Sequence, residues 1–351
     1  MFKYLIVLVA FVSQSQAFDA TGLKISVAGD LVYDQGLNSQ SEADENFKVR
    51  GAEISLYAPV DHLFEARLSA AAHDEEGETV FEVHELYLQT SKLIPRSRLK
   101  VGQFFLGIGR LNRFHQHDWP FTMAPLIHES ILGDEGVFDT GAEFSTLLPL
   151  PFYLDLTVGI TSGHKFGHAH SEGEKPKAPT HYTRASSFVD FGSQRGLEYG
   201  LSYLGRTSGD GDELSLLGFD LTFKKRVLKK IDWLVQTETW YRKNKTESET
   251  ESRLIGSYLF VDKNVSHFSS LGLRVDMTKD LTKKNSLTGK KVNNISYGIT
   301  PQLTYKSSEF FTFRLSASHE FEREEGDTLS KDTKILSQFV FILGAHPAHE
   351  F

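Results

Sequence analysis

Apolar and polar residues alternate with period two along most of the chain. Between Phe152 and Thr161, the side chains of Phe152, Leu154, Leu156, Val158 and Ile160 share one face, while Tyr153, Asp155, Thr157, Gly159 and Thr161 share the other. The split recurs as Leu271, Leu273 and Val275 against Gly272, Arg274 and Asp276, and as Phe311, Phe313 and Leu315 against Thr312, Arg314 and Ser316. Period two is the signature of a strand with two different environments on its faces. Each stretch runs for about 10 residues, the length a tilted strand needs to cross a bilayer. The pattern predicts sixteen strands, at 22–33, 47–58, 62–73, 79–91, 98–106, 139–147, 151–162, 180–192, 196–207, 213–224, 230–242, 253–262, 266–277, 291–306, 309–321 and 332–345. Connections after even strands are short, as in Pro59-Val60-Asp61 and Ser193-Gln194-Arg195. Those after odd strands are usually longer, the longest running from Gly107 to Phe138. An all-β, antiparallel up-and-down transmembrane barrel of about 16 strands predicts this asymmetry, with tight periplasmic turns and long outside loops. A soluble sandwich or propeller gives no reason for it.

The ends of the chain fit an exported barrel. Residues 1–17 place Lys3 before an apolar stretch from Tyr4 to Val12 and end Ser15-Gln16-Ala17, the three-part pattern of a signal peptide, with nine apolar residues too few for a membrane anchor. Residues 18–351 are then one outer-membrane barrel domain in contact with lipid. Terminal Phe351, after the alternating run Gln338 to Leu343, resembles the signal that the barrel insertion machinery reads. Tyr33, Tyr57, Tyr87, Tyr203, Trp233, Tyr241, Tyr258, Tyr305 and Phe310 are candidates for the aromatic girdles at the lipid interfaces.

Composition removes other classes. The chain has 351 residues, 27 of them Phe and 12 Tyr, so it is no disordered segment. No apolar run after the first dozen residues approaches the roughly 20 that a spanning helix needs. Zero cysteine excludes disulfides, thiolate-held zinc and thiol nucleophiles. A net charge of −8 argues against nucleic acid as a partner.

Sixteen strands enclose a lumen too wide for wall side chains to fill, so a passive channel for small hydrophilic solutes or ions is expected. Strand one starts too early to leave room for an N-terminal plug. Candidate pore-lining residues are Glu65, Arg67, Glu143, Asp155, Glu198, Arg206, Asp220, Glu238, Arg274, Asp276 and Arg314, joined by Arg242, Lys306 and Glu320. Six cations against eight carboxylates predict weak selectivity with a slight cation preference, unless the charges simply pair across the wall. No ordered nucleophile, base and acid can be read, so no catalytic role and no required cofactor are expected. The alternatives are a non-conducting adhesive or structural barrel and a barrel hydrolase. Porins of this size often assemble as trimers, and only that analogy points to a homotrimer.

Histidine adds a second theme. Loop segments carry His73 beside Asp74; His115, His117 and Asp118; His128; Asp134 and Glu135; and His164, His168 and His170. Imidazole with carboxylate suits zinc or a similar divalent ion, weakly bound at a His-rich mouth, although surface loops tolerate histidine freely. His84-Glu85 is no zinc-protease helix, because Leu88 stands where the second His belongs. The run Val101 to His117, with Leu132-Gly133-Asp134-Glu135-Gly136, Leu148 to Leu156 and Phe188 to Gly192, is similar to porin-like bacterial outer-membrane proteins described as zinc-regulated outer-membrane receptors. That resemblance implies a link to metal uptake carried by His115, His117, Asp134 and Glu135. It also implies energised TonB-type transport, which a chain without a plug does not support.

Overall fold

A computed structural model describes residues 22–38, 43, 47–75, 78–164, 176–228, 230–248, 250–284 and 289–344. The expected signal peptide, His168, His170 and Phe351 lie outside the described residues. Sixteen strands follow in order: β1 (Lys24–Gly36), β2 (Phe47–Pro59), β3 (Glu65–Glu75), β4 (Glu78–Thr90), β5 (Ser97–Phe105), β6 (Phe138–Leu147), β7 (Asp155–Thr161) and β8 (Ala178–Asp190). The second half comprises β9 (Arg195–Thr207), β10 (Glu213–Val227), β11 (Lys230–Lys245), β12 (Glu251–Asn264), β13 (Ser269–Asp280), β14 (Asn294–Ser308), β15 (Phe311–Glu324) and β16 (Asp327–Gly344). Each pairs antiparallel with the next, and β1 closes on β16 with Leu31 opposite Phe339. Closure leaves no strand edge to be satisfied by water.

Side-chain alternation follows the sequence pattern. Along β13, Leu271, Leu273, Val275 and Met277 are exposed on the outer surface, whereas Arg274, Asp276 and Thr278 are buried inside. All sixteen predicted strands occur. The ends differ most at β16, which begins at Asp327 rather than at 332, and at β7, which begins at Asp155 rather than at 151, because Pro149 and Pro151 lack the N–H groups a strand's ladder needs. Three predicted girdle residues differ more. Tyr87 and Tyr258 are buried in the interior and Tyr57 lines an internal cavity. For Tyr87 the outward positions belong to its neighbours Leu86 and Leu88, so parity along the strand decides and aromatic character does not.

The lumen is not left to water alone. Loop 3, residues 106–137, folds inward through short 3-10 turns at Leu111–Arg113 and Gln116–Asp118 and a helix, α1 (Leu126–Leu132), which packs on β11, β12 and β13. Leu106, Ile108, Leu111, Trp119, Phe121 and Ile127 are at most 1 % exposed, packed with the inward-facing Leu204, Leu216, Trp240, Tyr258 and Phe260. Each such side chain contributes roughly 1.5–3 kcal/mol when fully buried. The chain thus fills part of its own lumen, from the long connection that follows β5 and not from a separate N-terminal plug.

Candidate functional site

Folding a loop into a barrel buries peptide groups, and each needs a partner. The inward polar residues of the wall supply them. The Glu238 carboxylate accepts from Leu111 N at 2.7 Å and from Trp240 Nε1 at 3.0 Å. Gly109 N donates to Ser202 Oγ at 2.9 Å and Gly107 N to Glu143 at 3.1 Å. Gly109 has φ +58°, and a Cβ there would lie 2.6 Å from the Trp240 ring, so only glycine passes. Arg274 donates to the carbonyls of Met123 and Ala124 and holds Asp276 at 2.8 Å, and Asp276 accepts Leu126 N at 3.2 Å. At the loop's base, buried Asn112 donates to the carbonyls of Leu106 and Val137 and accepts Val137 N. Of the predicted pore-lining residues, Asp220, Glu238, Arg274 and Asp276 face inward but are about 1 % exposed, Asp220 bound to Arg184 at 2.7 Å and the others under loop 3. Arg314 is buried against Gln338 at 2.7 Å, Arg206 donates to the Gly163 carbonyl, and Glu65 accepts from Gln89.

Loop 3 leaves one side of the lumen open. A cavity of about 1170 Å³ runs from the short turns at Arg96 and Tyr153 up to Phe105, Arg113 and Phe114 of the loop region. Arg67, Glu143, Asp155 and Glu198 line it as predicted. Lys24, Arg96, Arg98, Lys100, Arg113, Arg184 and Glu85 join them. That makes seven cations and four carboxylates, the reverse of the expected slight carboxylate excess, because several inward carboxylates are consumed elsewhere by the loop. Three of the four lining carboxylates are also paired: Glu85 with Arg67 at 2.8 Å, Glu143 with Lys100 at 3.1 Å and Glu198 with Arg110 at 2.8 Å.

At the other end of the barrel, where β3 approaches its hairpin, imidazoles gather between wall and loop. His73 Nε2 lies 3.0 Å from His84 Nε2. Glu135, from the end of loop 3, places Oε1 3.2 Å from His73 Nδ1 and Oε2 3.8 Å from His84 Nε2. His115 sits beside them with Nδ1 2.8 Å from Glu53 and Nε2 3.1 Å from Glu85. Arg67 Nη2 lies 3.4 Å from the same Nε2, a meeting of two donors that the shared Glu85 carboxylate offsets. Burial alone would lower the His115 pKa. The charge and hydrogen bonds of Glu53 and Glu85 outweigh it and raise the pKa to about 10, so His115 is an internal cation. His117 stacks on His115 with ring centroids 5.6 Å apart and approaches Asp118 at 3.5 Å. A small cavity of about 30 Å³ lies among these groups.

The structure thus brings together His115, His117, Asp118 and Glu135 of the predicted metal set. His128 lies apart in α1, its Nδ1 2.9 Å from the Gly133 carbonyl and its ring against Trp119, with burial lowering its pKa to about 4. Asp134 and His164 are exposed. Sequence reading missed His84 and the carboxylates Glu53 and Glu85; His73, grouped with the loop histidines although it ends the third predicted strand, lies within β3. No simple alternation shows that His84 and Glu85, adjacent in β4, both face inward.

No family model matches the chain. A relative from Aquifex aeolicus (strain VF5), described as an uncharacterized protein, is 28% identical over 355 residues, covering 92% of this chain and 74% of its own. Among solved structures, the chain is similar to an anion-selective porin from Comamonas acidovorans, with TM-score 0.62 and 8% identity over 92% of this chain and 99% of that one. The outer-membrane channel DcaP of Acinetobacter baumannii gives 0.61 and 10% over 92% and 96%. The trimer form of OmpT, an outer-membrane protein of Vibrio cholerae, gives 0.57 and 8% over 92% and 99%. At such identities these likenesses establish the fold: a closed, porin-like, sixteen-stranded barrel.

Proposed function

We propose that the protein is a passive outer-membrane channel for small hydrophilic solutes or ions. The observation that carries this reading is the cavity of about 1170 Å³ beside loop 3, inside a closed barrel whose outer face presents an apolar surface. Water and small solutes fit there, and the cationic excess of the lining favours anions. Export by the N-terminal segment, insertion directed by Phe351 and assembly as a trimer complete the reading, the last supported by the trimeric form of the Vibrio cholerae neighbour. Reconstitution of the purified barrel into planar bilayers tests it. Stepwise conductance is expected, and a folded barrel that gives none would overturn the channel in favour of an adhesive, structural or hydrolytic role.

A second reading makes a divalent metal such as zinc one of the solutes. The buried imidazole–carboxylate cluster near the outer end supports it. Zinc influx into vesicles carrying the protein, compared with calcium influx, separates it from general permeability; equal rates count against it.

A further inference from the structure

The histidine cluster has features that a solute path alone does not require. His73 and His84 are 8 % and 3 % exposed and belong to neighbouring strands of the wall, whereas Glu135 belongs to loop 3. The two imidazole nitrogens stand 3.0 Å apart. Two nitrogens bound to one zinc ion at about 2.0–2.1 Å each stand roughly 3.0–3.4 Å apart. His73 Nδ1 lies 3.2 Å from both the Arg50 carbonyl oxygen and Glu135 Oε1, acceptors that keep the proton on Nδ1 and leave Nε2 with its lone pair, while Glu135 Oε2 turns toward His84 Nε2 at 3.8 Å. Arg50 contributes that carbonyl from a bulge of its own, since Asp30 pairs with Gly51 and Leu31 with Val49. The space of about 30 Å³ among these groups is large enough for an ion with its water and too small for an organic substrate.

We propose that His73, His84 and Glu135 form a resident site for one divalent ion of the zinc class, which ties loop 3 to the β3–β4 wall. His73 and His84 supply Nε2, Glu135 supplies a carboxylate oxygen, and water completes the coordination. Two imidazoles and one carboxylate suit zinc and its transition-metal neighbours and disfavour calcium or magnesium, which require oxygen. The site differs from weak capture at a histidine-rich mouth, because its ligands are buried and come from wall and loop together. It rests on the docking of loop 3 and not on conductance, so a barrel that fails to conduct leaves it standing.

The test uses the full-length barrel in detergent, stripped with chelator and titrated with zinc chloride. One ion per chain is expected, and cobalt chloride should give visible absorption from an imidazole-bound ion. H73A, H84A and E135Q should each weaken zinc binding by about 100-fold or more. H164A/H168A/H170A should bind as the wild type does. Zinc should raise the thermal midpoint of the wild type and leave that of E135Q unmoved. Heat-dependent gel mobility verifies that each variant is folded, and H84Q replaces H84A if the latter does not fold. No zinc bound by the folded wild type overturns the site, as does undiminished binding by H73A or H84A. Undiminished binding by E135Q overturns the tie between loop and wall.

Discussion

His73 and His84 meet at 3.0 Å because β4 carries an extra residue at His84. Ser69 of β3 pairs with Glu85 and the next residue, Ala70, pairs with Val83, so His84 has no partner of its own in the ladder. The bulge turns two consecutive polar side chains, His84 and Glu85, into the barrel while Val83 and Leu86 stay outside. With chelator present, one imidazole donates to the other. H84A should then cost about 1–3 kcal/mol, because it strips the hydrogen-bond partner from His73 Nε2 in a buried setting. The double variant H73A/H84A should cost less than the two singles combined, by about 0.5–1.5 kcal/mol. Urea unfolding in detergent measures all three, and strictly additive costs would show that the nitrogens do not interact.

Arg274 and Asp276 secure loop 3 on the opposite wall. Both are 1 % exposed, and between them they satisfy two loop carbonyls and the Leu126 amide. Removing the arginine strands a carboxylate in a dry interior, at a cost of about 3–5 kcal/mol. R274A should therefore release the loop. In single-channel recordings the expected outcome is larger conductance with frequent switching between levels. R274K keeps the charge but not the planar fork that reaches Asp276 and both carbonyls, so it should fall between wild type and R274A. Recordings of R274A that match the wild type would mean that the apolar core alone holds the loop.

The contrast between these two sites shows what a sequence can carry. Arg274 and Asp276 are two residues apart in a regular strand, so alternation places both inside, and it does. Their duty to the loop backbone is invisible, because it depends on where loop 3 folds. Trp240, Tyr258 and Phe260 signal an apolar partner within the lumen, since aromatic side chains of this size are unsuited to lining water. For Tyr258, aromatic character points equally to the lipid interface, which hides the inward role. His84 fails for another reason: a single bulge breaks the parity on which strand reading depends, and nothing in the residues around it marks the break. The histidines that sequence proximity groups, such as His115 with His128, part company because the turn at Gln116–Asp118 and the helix Leu126–Leu132 send them to different walls.

Acid should loosen the helix of loop 3. His128 is neutral in the fold, its pKa moved by burial from the ordinary 6.5 down to about 4, with the Gly133 hydrogen bond opposing only in part. A folded pKa below the unfolded one means that the unfolded chain binds the proton first. The associated stability is therefore complete above about pH 6.5 and is lost as pH falls toward 4, by about 3 kcal/mol in all. Urea midpoints measured from pH 7 to pH 4 should fall for the wild type. H128F cannot take up a proton and should show a shallower decline over that window. Parallel curves for the two proteins would assign the acid sensitivity to other groups.

On the proposed channel reading, the lining of the internal cavity should set the sign of selectivity. Lys24 and Arg96 stand exposed at its short-turn end, so changing them breaks no buried pair. K24E/R96D turns a lining of seven cations and four carboxylates into five and six. Arg96 has φ +62°, a conformation that aspartate tolerates better than most residues, so the turn should survive. In a potassium chloride gradient the wild type should show a reversal potential on the chloride side, and the double variant should move toward potassium. The Debye length is about 10 Å at 0.1 M salt and about 3 Å at 1 M, so the shift should be large in dilute salt and small in concentrated salt. An unchanged reversal potential at 0.1 M would mean that ions do not pass through this cavity, and the conducting path would then have to be sought on the other side of loop 3.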